Sequence, residues 1–115
     1  MIFELRRYQL TSPPMSAAFN EHMARMMPLF HEYGFTLIGA WDSVIAHDMP
    51  FHTYLLQWND LGHREVTWAR FYADPRFDSA RAAMNDRAGG LVVRSHTVEI
   101  LRAGGYSMAG AGTSA

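Results

Sequence analysis

Six apolar residues, Met15, Phe19, Met23, Met26, Phe30 and Tyr33, recur at intervals of 4, 4, 3, 4 and 3. That spacing is one stripe of an amphipathic helix. Gly34 follows directly, where a left-handed C′ residue ends a helix. Ser12 in "TSPP" is the expected N-cap, with proline in the first turn, where a missing N–H is harmless. Pro28 lies off the stripe and is expected to bend the helix without breaking it. On either side the pattern changes. "MIFELRRYQL" precedes the helix, and "FTLIGAWDSVI" (35–45) and "FHTYLLQWN" (51–59) follow it, rich in β-branched and aromatic residues with no helical stripe. The short "AHDMP" between the last two, ending in proline, joins them as antiparallel strands.

Helical signals return in "NDLGHREVTWARFYADP", capped by Asn59 or Asp60 and stopped at Asp74-Pro75, because a residue before proline avoids helical dihedrals. A shorter helix covers "RFDSARAAMNDRA" and stops at Gly89-Gly90, and "LVVRSHTVEIL" reads as a last strand. The order β-α-β-β-α(α)-β predicts an α+β, ferredoxin-like fold, with helices on one face of a four-stranded antiparallel sheet. At 115 residues, 49% of them hydrophobic, the chain makes one domain with a real core. Its expected bounds are 1–103, followed by a flexible Gly/Ala/Ser-rich tail over 104–115.

Composition removes several functional classes. The net charge is −1 and no basic block occurs, so no nucleic-acid partner is expected. No apolar run approaches the ~18 residues of a membrane span, and no signal peptide is seen, so a cytoplasmic location is expected. There is no cysteine, which excludes thiolate chemistry and disulfides, and every cation is arginine, which excludes a lysine Schiff base. GxGxxG, P-loop and GxSxG patterns are absent, and no ligand set such as HExxH appears, so neither a cofactor nor a metal is expected.

Helices on one face leave the other in need of a cover. On the third strand His52, Tyr54, Leu56 and Trp58 share a side too aromatic to stay wet, the mark of an interface or ligand site. Two copies packed face to face would enclose a space, and Glu4, Arg6 and Tyr8 on the first strand are expected to point into it. In that register Phe3 and Leu5 turn to the helices.

The residues quoted resemble the NIPSNAP family over roughly 2–102. The likeness rests on "ELRxY" (Glu4-Leu5-Arg6-Arg7-Tyr8), a helix with Pro28 ending at Gly34, and "LxGxW" (Leu37-Ile38-Gly39-Ala40-Trp41). It continues in an "R…DP" pattern (Arg64, Asp74-Pro75) and a closing "ILR" (Ile100-Leu101-Arg102). Such a resemblance implies a dimeric α/β-barrel, an architecture whose other members include cofactor-free monooxygenases, isomerases, cyclases and haem-degrading enzymes. On the third strand the family often has a histidine and a tryptophan two apart, where this chain has Tyr54 and Leu56. His52 stands two residues away on the same side.

The candidate catalytic residues are therefore His52 or Glu4 as base, with Arg6 and Tyr8 as polarising donors. Tyr54, Trp58, Trp41 and His96 are the candidate substrate-binding residues. An Arg6–Glu4 ion pair serving only stability, and Trp41 packed in a core, are the bland alternatives. His22 and His31 sit beside the helical stripe and are expected on the surface, while His47-Asp48 is a possible helper of His52. Two functions follow. One is a homodimeric, cofactor-independent enzyme that abstracts a proton from a small, largely apolar aromatic or polyketide-like substrate. The other is a non-catalytic module that binds a hydrophobic ligand or only its own twin.

Overall fold

The computed structural model describes residues 1–107. Strand β1 (Ile2–Leu10) leads to helix α1 (Met15–Glu32) and to strands β2 (Thr36–Asp42) and β3 (Phe51–Trp58). Helices α2 (Leu61–Tyr72) and α3 (Pro75–Ala88) follow, and β4 (Val93–Leu101) closes the sheet. The strands pair antiparallel in the order β2-β3-β1-β4, and the helices cover one face. This is the ferredoxin-like arrangement expected from the element order. The predicted tail lies mostly outside the described residues, which end in a turn closed by Ser107 N–H on the Gly104 carbonyl at 3.0 Å.

Local chemistry explains most boundaries. Gly34 adopts φ +80°, and Phe35 N–H bonds the Phe30 carbonyl at 3.0 Å, the wrap expected of a glycine-ended helix. Asp60 caps α2 by accepting from His63 N–H at 2.7 Å, and Asp74 caps α3 with Pro75 behind it. Ser12 makes no side-chain cap; instead its carbonyl accepts Met15 N–H at 3.0 Å in a tight turn. β2 stops at Asp42, earlier than the β-branched Val44 and Ile45 suggest, because Ser43 exchanges bonds with Phe51 there and closes the ladder. Val44 and Ile45 are left in an exposed loop.

The register overturns one expectation. Glu4, Arg6 and Tyr8 pair with Leu56, Tyr54 and His52, and all six side chains face the helices. Phe3, Leu5 and Arg7 take the opposite face. The aromatic side of β3 is thus covered by the chain's own helices, with no second copy needed, and Trp58 is core.

Beneath the helices the core forms two clusters. One gathers Met26, Phe30, Tyr54, Trp58, Trp68 and Phe71, and the other Leu10, Phe19, Met84 and Val92. Tyr8 and Met23 pack against both. The space between the clusters is not filled.

Candidate functional site

That space is a cavity of about 710 Å³, within the size range of small-molecule sites. Its sheet side is built by Arg6, Tyr8 and Tyr54. Helix α1 supplies Phe19, Met23, Met26 and Phe30 from consecutive turns of its apolar stripe, and His22 from beside it. Helix α2 adds Trp68, Phe71 and Tyr72, and α3 adds Phe77, Arg81, Met84 and Asn85. The first residues of β4, among them Arg94 and His96, form an exposed rim.

Polar groups converge at the sheet side. The Arg6 guanidinium donates to Glu4 Oε2 at 2.7 Å, to Tyr8 Oη at 3.0 Å and to Tyr72 Oη at 3.2 Å. It also lies 4.5 Å from the centre of the Trp68 ring, a cation–π contact. Tyr8 and Tyr54 hydroxyls are 3.1 Å apart. Burial opposes the Arg6 charge, but the phenol oxygens of Tyr54, Tyr8 and Tyr72 around it raise its pKa overall. Burial also pushes the Tyr54 and Tyr72 phenols up, against the lowering effect of Arg6, so both stay protonated at neutral pH. Tyr72 accepts from Arg6, and among the described residues its own proton has no acceptor. When buried Tyr54 donates to Tyr8, the Tyr8 proton is free as well. The cavity therefore presents phenolic donors backed by a fixed cation, a set suited to holding a developing oxyanion.

Glu4 lies under this layer. It is 0% exposed and accepts from Trp58 Nε1, Trp68 Nε1 and Arg64 Nε at 2.8–2.9 Å, besides Arg6. Burial pushes its carboxyl up, but the bonds from Arg64, Trp68 and Arg6 win and hold it below the ordinary carboxylate value. A carboxylate so surrounded anchors Arg6.

The two deepest histidines are arranged differently. His52 is 2% exposed and does not line the cavity. Its Nδ1 sits 2.9 Å from Asp42 Oδ1, an acid held in turn by Asn20, so its partner is Asp42 and not the predicted Asp48. His22, expected on the surface, is 6% exposed and lines the cavity. Its Nδ1 is buried with no hydrogen-bond partner among the described residues, which leaves the other ring nitrogen for its backbone contact at Ala80. Burial, aided by the charge of Arg87 and opposed by that contact, lowers the His22 pKa and keeps the ring neutral. His96 stacks on Tyr8 with ring centres 5.3 Å apart; burial, then the charge of Arg6, lowers it too.

Of the residues singled out in the sequence, the cavity brings together Arg6, Tyr8, Tyr54 and His96. Glu4 and Trp58 support it from beneath and His52 stands behind it. Trp41 is on the opposite sheet face, 54% exposed. His22 and Tyr72 were missed, although both signals are present: His22 falls three residues after Phe19 and four before Met26, and Tyr72 four after Trp68.

The NIPSNAP family model matches residues 3–107, most of the chain. The chain belongs to the NIPSNAP family. No curated protein matches it. Among solved structures, a NIPSNAP family protein of unknown function from Agrobacterium tumefaciens superposes with a TM-score of 0.79 at 20% identity, over 94% of this chain and 92% of that one. An uncharacterized NIPSNAP domain protein from Burkholderia xenovorans gives 0.76 at 16% identity, over 93% and 98%. SnoaB, a cofactor-independent oxygenase from Streptomyces nogalater, gives 0.56 at 16% identity, over 90% and 92%. At such identities the likeness concerns the fold.

The motifs that carry the NIPSNAP resemblance meet in space. Arg64 of "R…DP" bonds Glu4 of "ELRxY", which fixes Arg6 and through it Tyr8. In "LxGxW" a Cβ on Gly39 would meet the Trp41 ring at 2.9 Å, so the glycine keeps a bare patch on which the indole lies. Among the described residues no three His, Cys, Asp or Glu side chains gather as metal ligands, and no helix is long and apolar enough to cross a membrane.

Proposed function

We propose that this chain is a homodimeric, cofactor-independent enzyme that takes a proton from a small, largely apolar aromatic or polyketide-like molecule. The observation that carries this reading is the Arg6 guanidinium at one wall of an apolar cavity, with Tyr8 and Tyr72 on the same space. A substrate carbonyl seated against the two phenols accepts their O–H bonds. The neutral His22 ring, which lines the same space, then removes a proton from the adjacent carbon. The enolate oxygen is held by the phenols, and Arg6 balances its charge in a site of low dielectric. Reprotonation at another carbon gives isomerisation, attack on an internal carbonyl gives cyclisation, and transfer of an electron to dioxygen begins oxygenation. The base role passes from Glu4 and His52 to His22, because neither of the first two lines the cavity. SnoaB, which has this fold, is an oxygenase that needs no cofactor, and this supports the class.

The test is deuterium uptake at the acidic carbon of 2-tetralone in D₂O, followed by proton NMR. Wild-type protein should accelerate exchange well above buffer, and Tyr72→Phe and His22→Ala should each lose about 10²-fold. Binding of the ketone without acceleration would leave the non-catalytic, ligand-holding reading in its place.

The dimer rests on the outer sheet face, which carries Leu5, Leu55 and the exposed Trp41 opposite the helices. A second copy packed there matches the dimeric barrel that the family resemblance implies.

A further inference from the structure

Strand β4 contains an irregularity that the oxyanion chemistry does not use. Gln9 pairs with Ser95 but Leu10 with Val93, so Arg94 is an extra residue in the ladder. A bulge of this kind leaves one residue unpaired and re-aims its side chain. Here the bulge is pinned from α3, where Asn85 Oδ1 accepts Val92 N–H at 3.1 Å. Arg94, on the same strand side as His96, lines the exposed rim of the cavity, and among the described residues its guanidinium has neither an ion pair nor a hydrogen bond. Arg81 lines the cavity from α3, joined to Asp78 by an exposed pair at 3.1 Å. An exposed pair is weak and competes poorly with a better-placed anion. Among the described residues the lining holds three arginines and no carboxylate, and Arg6, the deepest, already has its counter-ion in Glu4.

We infer that the substrate is an organic anion, an aromatic or polycyclic body with a carboxylate that Arg94 and Arg81 hold at the rim while a carbonyl or phenolic oxygen meets Tyr8 and Tyr72. This rests on the cavity reading above and adds the charge of the molecule it takes. Guanidinium is the group for such a task, since its planar fork matches a carboxylate in two parallel bonds. The carboxylate also sets direction, because a molecule with acid at one end and oxygen at the other enters one way round.

Calorimetric titration with 6-hydroxy-2-naphthoate and with 2-naphthol separates the outcomes. Wild-type protein should bind the acid about tenfold more tightly than the neutral phenol, with the preference shrinking as salt rises. Arg94→Gln should remove most of that preference and leave 2-naphthol binding unchanged, and Arg94→Gln with Arg81→Gln should remove the rest. Equal binding of the two probes, or a preference that survives the double variant, overturns the rim site and leaves the cavity reading intact. Failure of both probes to bind overturns the cavity reading and this inference together.

Discussion

At Glu4 five donor hydrogens converge on two oxygens, from Arg6, Trp58, Trp68 and twice from Arg64. At His22 a ring nitrogen equally hidden from water has no partner among the described residues. Each is a titratable side chain on the inner layer, and surroundings alone separate a fixed anion from a neutral ring. The difference appears in stability against pH. His22 and His96 both have pKa values lowered from the ordinary 6.5, so the unfolded chain binds their protons first. Stability is then full above about pH 6.5 and falls as acid carries the solution down through the folded values. Urea unfolding at about pH 7.5 and pH 5 should show this loss, with His22→Gln losing less. Arg87 on α3 is the charged group facing His22, beside the Ala80 backbone. An unchanged slope in His22→Gln would mean that His22 is solvated.

Between strands β1 and β3 the sequence supports two registers, because each side of β1 mixes apolar and polar residues. A slip by one residue exchanges the faces completely. What decides it is distant in the chain: the Trp58 and Trp68 indole N–H groups are buried and need an acceptor, and Glu4 supplies one across 54 and 64 residues. A buried donor left alone is expensive, and no local pattern records that need. Caps and stops were legible for the opposite reason, since Gly34, Asp60, Asp74 and Gly89 act on neighbours within a few residues. With the faces assigned, the uncovered side carries Trp41 on its patch beside Gly39. Sedimentation should find a dimer for the wild-type chain and a folded monomer for Trp41→Glu. A stable wild-type monomer would remove the homodimer from the proposal.

Across the whole molecule, the sequence revealed which residues carry the chemistry better than where they meet. Arg6, Tyr8, Tyr54 and His96 were legible as candidates, yet the space they share is enclosed by helices of the same chain rather than by two copies. The void itself was not legible, because it arises where two core clusters approach without merging, a matter of side-chain volume summed over three helices and a sheet. Everything proposed for this protein depends on that space receiving a ligand with its oxygen toward the phenols. The most direct test is a crystal structure of the protein soaked with 2-tetralone. Ring density is expected between the sheet and the helices, with the ketone oxygen within hydrogen-bonding reach of Tyr8 or Tyr72. Ring density confined to the outer sheet face, or a cavity closed by its own side chains, would contradict it.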